Sequence, residues 1–424
     1  MTVPKNLRPF PVALCISALL LLSAARPPLA ADLPNETFAA TSANGHKLSG
    51  NNTYAQVSTD SRSGDNFTFE NGTLTLTGNK GGALFLAPHA RNPTASISSD
   101  AGNATLVLQK GTFSGSIALG GNSNSSTLII GSGASGANLP TVTITGQIRG
   151  SNNATSRIVT NGANLTINGD IGDSHYLGEM HALNGNIRMS MTSGQNQIGL
   201  IDVASGMQVS SQTRLVLHDL ALQNNARVVS DAEIHINGAL GRTASRMQAG
   251  SLLWARSDIS FLDPRATGTG GIKNASGTIR AGGSIGSYGS FSTYDLVQGD
   301  GHLRLEAGRD IGGGDITADA ITAGGTIVAG SDRTSAAHFG VSSYFPSITP
   351  DKTLTATEVR GNLVAAGEIR DIAGASTASR IEAQRLMAVK NPGGSSGDFT
   401  LANGSFAFTG TCLWLCRRRQ LRFP

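Results

Sequence analysis

Residues Leu303 to Ser331 read LRLEAGRDIGGGDITADAITAGGTIVAGS. Short alternating runs of Leu, Ile and Val are each closed by Gly, and the phrases Ala-Gly-Arg-Asp-Ile and Ala-Gly-Gly-Thr-Ile follow one another as near copies. Alternation with period two marks a strand, and a repeated strand-and-turn unit without helix-period segments marks a stacked solenoid. Working outward, the same texture recurs as Leu74-Thr-Leu-Thr-Gly78, Thr127-Leu-Ile-Ile-Gly131, Val142-Thr-Ile-Thr-Gly146, Leu165-Thr-Ile-Asn-Gly169 and Ile234-His-Ile-Asn-Gly238. Strand onsets at Leu165, Ile187, Leu215 and Ile234 suggest a coil of about 23 residues with loops of unequal length. The prediction is an all-β chain folded as a right-handed parallel β-helix over residues 69–410.

Composition agrees. The chain has 424 residues, 54 of them Gly, with 5% aromatic and 14% charged side chains. That supply of large side chains would starve a conventional core. A solenoid tolerates it, because small aliphatic residues stack on their equivalents about 4.8 Å away. Gly- and Ser-rich chains can also remain disordered, but here the 39% hydrophobic content is gathered into alternating strands.

The ends differ from the body. Lys5 and Arg8 precede an apolar run from Val12 to Ala25, and small residues up to Ala31 complete the pattern of a signal peptide over residues 1–31. Cys15 falls inside that run, so the expected exported body holds no cysteine before Cys412 and needs no disulfide. Removing seven cations, Lys5, Arg8, Arg26, Arg417, Arg418, Arg419 and Arg422, from the 32 leaves 25 against 28 acidic residues. The body is therefore slightly acidic and offers no basic face, which argues against a nucleic-acid partner. Residues 32–68 are polar and turn-rich, as an irregular cap would be. Loop excursions are expected near 252–300, where Leu252-Leu-Trp254 and Phe261-Leu-Asp-Pro264 break the texture, and near 338–350. Residues 411–424, TCLWLCRRRQLRFP, form an atypical tail consistent with a truncated or frameshifted reading frame.

Chemistry-bearing groups are sparse. Asp258 with Asp263 and Arg265, and Asp310 with Asp315 and Asp319, could serve acid, base or calcium roles, but isolated acids at turns mostly bond their own backbone. His175, Glu179 and His181 could hold zinc, yet they lack the helical His-Glu-x-x-His spacing and read as loop side chains. Cys412 and Cys416 could be a metal pair or a disulfide, but two ligands without a nearby His make a weak site. Threonines at 73, 75, 77 and at 141, 143, 145 line one side of a strand, but with Asn168, His235 and Arg304 taken as their equivalents they form no continuous row. Ten Asn-x-Ser/Thr sequons follow from composition. No catalytic set, metal site or cofactor is predicted.

The Ala-Gly-Arg-Asp-Ile and Ala-Gly-Gly-Thr-Ile phrases resemble the β-helix repeats of filamentous-haemagglutinin-type adhesins and autotransporter passenger domains of Gram-negative bacteria. The similar texture spans roughly residues 69–400. The resemblance implies a surface-displayed or released β-helix that binds a glycan or protein on host or neighbouring cells, with an outer-membrane translocator that this chain does not encode. Two departures stand out: there is no Asn-Pro-Asn-type signature near the mature N-terminus, with Asn391-Pro-Gly-Gly394 at the wrong end, and no barrel follows. On this basis the protein is expected to be a non-enzymatic, adhesin-like binder. Its first candidates for ligand contact are the aromatic residues Trp254, Phe261, Phe339, Tyr344 and Phe345, placed on loops leaving a stiff scaffold. The alternatives are a polysaccharide lyase or hydrolase on the same fold, marked by three or more acids converging in one groove, and a non-functional remnant of a larger adhesin.

Overall fold

The computed structural model describes residues 35–39, 46–54, 56–60, 66–77, 83–85, 94–98, 103–120, 125–151, 155–172, 175–236, 246–262, 272–288, 297–313, 316–318, 320–329, 354–355, 358–365, 369–370, 380–388 and 405–408. Within them the chain is a parallel β-solenoid. Each coil offers three strand positions, seen separately in Ile148–Arg149, Ser156–Asn161 and Asn164–Ile167. Each position pairs in parallel with its counterparts one coil before and one coil after. Elsewhere two positions merge into one longer strand, as in Arg214–Leu222, which supplies the first and second together.

Register turns the alternating sequence into continuous apolar columns. At the third position Val142, Leu165, Ile187, Val209, Val228, Leu253, Ile279, Leu305 and Ile321 stack in order, and none is more than 1% exposed. At the first position the column is Ile234, Ile259, Ile285, Ile311 and Ile327. At the second it is Leu74, Leu106, Leu128, Ile158, Met180, Ile201 and Leu220. Each fully buried aliphatic side chain contributes about 1.5–3 kcal/mol, so the rod gains its stability by repetition. One polar residue interrupts the first column. Asn196 is fully buried, but its Oδ1 accepts from the Ile171 N–H at 3.2 Å and its Nδ2 donates to Ser211 Oγ and Thr213 Oγ1. With its amide bonded, burial there carries no orphaned group.

The strand-closing glycines are explained by proximity between coils. At Gly282, Gly308 and Gly324 an added Cβ would lie 2.2 Å from the carbonyl oxygen of Arg256, Gly282 and Gly308 respectively. Gly146 and Gly169 stand in a similar column above Gly115. Side chains also run between coils: Asn164 Oδ1 accepts from the Asn186 N–H, and Asn186 Oδ1 from the Gln208 N–H, each a step of 22 residues.

Several expectations change. Leu165 pairs with Ile187 and Leu215 with Ile234, but Ile187 pairs with Val209. The 28-residue step from Ile187 to Leu215 therefore joins two different strand positions and is not a coil. Within residues 32–68 the strands His46–Ser49 and Asn52–Tyr54 already pair in parallel with Asn66–Leu76, so these segments belong to the stack. Within 252–300 the chain does not leave the stack at Leu252–Ala255, Ile259–Leu262, Ile272–Ala281 or Ile285–Tyr288, all of which pair in parallel. Residues 1–34, 338–350 and 411–424, with Cys15, Cys412 and Cys416, lie outside the described residues.

Candidate functional site

Register assembles two polar clusters on the outside of the rod. The first lies at the second strand position, where Arg157 faces Glu179 and His181 faces Asp202 across adjacent coils. Glu179 and His181 are two apart on one strand and so emerge on the same face. Arg157 Nε donates to Glu179 Oε2 at 2.8 Å, and His181 Nε2 donates to the same oxygen at 3.1 Å. On the far side His181 Nδ1 meets Asp202 Oδ2 at 3.3 Å. Ionised carboxylates only accept hydrogen bonds, so both ring nitrogens carry protons and His181 is an imidazolium. Burial by itself would depress its pKa, but the hydrogen bonds and charges of Asp202 and Glu179 outweigh that cost and raise it from 6.5 to about 9. Two cations and two anions balance.

The second cluster lies at the first strand position. Leu215 pairs with Ile234, which sets Arg214 opposite Glu233, and His235 faces Ser260 one coil later. His235 Nε2 donates to Glu233 Oε2 at 2.8 Å, while Arg214 Nε is 3.7 Å from that oxygen. Ser260 Oγ is 2.9 Å from His235 Nδ1, and Arg214 Nη2 donates to the same nitrogen at 3.4 Å. The Arg214 guanidinium can only donate, so Nδ1 keeps its lone pair, the ring is neutral and the Ser260 hydroxyl donates to it as well. Burial, against the opposing bond to Glu233 and with the Arg214 charge, lowers its pKa below 6.5.

Trp254 is half-buried on Leu252–Ala255, in register with Val229 and Arg280, so it belongs to a ladder strand and not a loop. Phe261 is 5% exposed and stacks on Ile236. It is a core residue, which corrects its assignment to an emerging loop: an apolar ring at an inward strand position is drawn into the column. Phe339, Tyr344 and Phe345 lie outside the described residues. Asp258 accepts from the Ser284 N–H at 2.7 Å and pairs with Arg309 at 2.9 Å, and the Asp310 N–H donates to Ser284 Oγ. The Asp258 carboxylate and the Asp310 backbone N–H thus fasten one corner of successive coils. Asp263, Arg265, Asp315 and Asp319 are outside the described residues. His175 is exposed, whereas Glu179 and His181, read from the sequence as loop side chains, sit on the strand Leu177–Asn184 and join the ion cluster; among the described residues no three His, Cys, Asp or Glu are placed to hold a metal. The threonines stack more than expected. Thr73, Thr105 and Thr127 form one column, and Thr112, Thr143 and Thr166 another, both ended by arginines, Arg157 and Arg188.

Sequence reasoning missed Arg157, Asp202, Arg214, Glu233, His235 and Ser260 as members of clusters. A usable signal was present: Glu-x-His occurs twice, as Glu179-Met-His181 and Glu233-Ile-His235. Three acids, Glu179, Asp202 and Asp219, occupy one face over three coils. Glu179 and Asp202 are held by His181, and Asp219 Oδ1 accepts from the Leu220 N–H at 2.8 Å. The imidazolium fills the gap between Glu179 and Asp202, where a glycosidase would need a water and the glycosidic oxygen. On the third strand position, outward from the core, Trp254, Arg280 and Glu306 follow one another in register, and Arg280 pairs with Glu306. The arrangement presents long matched rows of polar and half-buried side chains. Compared with known proteins, the chain matches no family model, no curated protein and no solved structure.

Proposed function

We propose that this chain is the rod of an exported, adhesin-like protein that binds a glycan or protein ligand at a cell surface without chemically altering it. The observation that carries the reading is the side-by-side column geometry: a stiff parallel stack presents repeated outward rows, and the ionic groups at its two clusters are matched with one another. The signal-like sequence of residues 1–31 and the adhesin-like repeat phrases support export. Trp254 is the contact of choice among the described residues, since a half-buried indole beside Arg280 offers a flat face with a charged neighbour.

The test is to incubate the purified protein with pectin, alginate and host-cell glycans, following both retention and chain length. Retention without shortening of the polymer is expected, and Trp254→Ala should weaken retention about tenfold, as for an aromatic anchor. Depolymerisation without durable attachment would reject the proposal. It would favour a second reading, a carbohydrate-active enzyme, for which the specific observation is the three acids on one face. In that case Asp202→Asn should abolish the shortening.

A further inference from the structure

The two clusters share one plan. In each, an arginine from one coil faces the glutamate of a Glu-x-His pair on the next, and the third coil supplies the residue beyond the imidazole: Arg157, Glu179, His181 and Asp202 in one, Arg214, Glu233, His235 and Ser260 in the other. They lie on different strand positions of the rod. The fourth residue is a carboxylate in the first and a hydroxyl in the second, and only in the second does the arginine also donate to the ring; together these differences decide how many protons the ring holds.

The order Ser260, His235, Glu233 matches that of an acyl-transfer relay, with the imidazole in the tautomer of a base. Ser260 is nonetheless 1% exposed, and the backbone around it is committed to ladders with both adjacent coils. The arrangement is closed to a substrate and instead joins coils together.

We propose that Arg214, Glu233, His235 and Ser260 form an acid-sensitive latch across three consecutive coils, which loosens locally when His235 takes up a proton, while the Arg157, Glu179, His181 and Asp202 cluster stays closed. The groups facing the ring are Arg214 from the coil before, Glu233 on its own strand, and Ser260 with the Asp258 charge from the coil after. Asp258 is itself held by Arg309 and the Ser284 N–H. A proton on Nδ1 forces the Ser260 hydroxyl to turn from donor to acceptor, removes the acceptor that Arg214 uses, and sets a second cation 3.4 Å from its guanidinium. The cluster then holds two cations against the Glu233 anion. His181 is already protonated between two carboxylates, so the same acidification adds no proton to that ring.

The sign follows from linkage. His235 is depressed below 6.5 in the folded chain, so its contribution to stability is present above 6.5 and is lost as pH falls through the folded value. The experiment is amide hydrogen exchange on the full chain at pH 7.5 and 5.0, corrected for intrinsic rates. Protection of residues 234–236 and 259–262 should fall about tenfold at pH 5.0, while 179–182 and 200–203 hold. Equal change in both regions, or none in the first, overturns the latch. His235→Gln and Ser260→Asp should each remove the acid response, the second by giving the ring a carboxylate on both sides. Should His235→Gln not fold, the imidazole NMR titration decides: a His235 midpoint below 6.5 in the natural chain that rises above 6.5 in Ser260→Asp supports the latch, and an unmoved midpoint refutes it.

Discussion

Gly308→Ala is expected to destabilise the rod by about 3 kcal/mol, at the upper end of what overpacking costs. The new Cβ would lie 2.2 Å from the Gly282 carbonyl oxygen, a distance that no side-chain rotation relieves because the obstacle is backbone. Gly308 has no left-handed φ, so the penalty is steric and not conformational. Moving that carbonyl disturbs rungs on both sides: the Gly308 N–H donates to the Ala281 oxygen, and Gly324 packs on the Gly308 oxygen in turn. Solenoid stability is close to a sum of coil and neighbour terms. The damage should therefore be local, with hydrogen-exchange protection lost over residues 278–281, 303–307 and 320–323 and retained over 156–167. Gly206→Ala provides the contrast. Gly206 has a φ of +74° with nothing within 4 Å of its missing Cβ, so this change costs only the left-handed penalty of about 1–2 kcal/mol. If Gly308→Ala melts with the natural chain, the close approach between coils is wrong.

That column of glycines was also what made the fold readable. In Ala-Gly-Arg-Asp-Ile and Ala-Gly-Gly-Thr-Ile the repeated positions each meet one geometric demand. Ala307 and Ala323 stack, Gly308 and Gly324 pass a carbonyl, and Ile311 and Ile327 fill a column. Demands imposed on every coil leave a mark at every coil. Counting onsets failed where a coil contributes several strands, because spacing along the chain does not say which strand position a run occupies; Ile187 and Leu215 are separated in this way. Rare aromatics misled for a related reason. Ile259-Ser-Phe261 keeps the alternation of Ile234-His-Ile236, and that pattern outweighs the oddity of a phenylalanine.

The clusters were less legible than the fold. Glu179 and His181 are neighbours in sequence, but Arg157 and Asp202 join them only through pairing with coils 22 and 21 residues away. Charge complementarity between coils has no local signature. It can be read only after register is known, and register is a property of the whole stack.

Asp202→Ser should give His181 the hydroxyl partner that His235 has, and its titration midpoint should drop from about 9 toward 6.5. The variant leaves Glu179 as the single carboxylate, shared with Arg157, and places a hydroxyl where Asp202 Oδ2 stood 3.3 Å from Nδ1. Burial, the largest influence on the ring, is then opposed by one anion where there were two. In the natural chain the folded value lies above the unfolded 6.5, so the stabilisation from His181 is complete below pH 6.5 and disappears as pH rises through about 9. At 1.36 kcal/mol per unit this amounts to at most about 3 kcal/mol. Denaturant unfolding should accordingly show the natural chain losing stability between pH 6.5 and 9.5, and Asp202→Ser weaker at pH 6.5 but nearly level across that window. Imidazole NMR reports the midpoint directly. A His181 that still titrates near 9 without Asp202 would mean that Glu179 alone holds the proton, and the rule that the third coil sets the charge of the ring would fall with it.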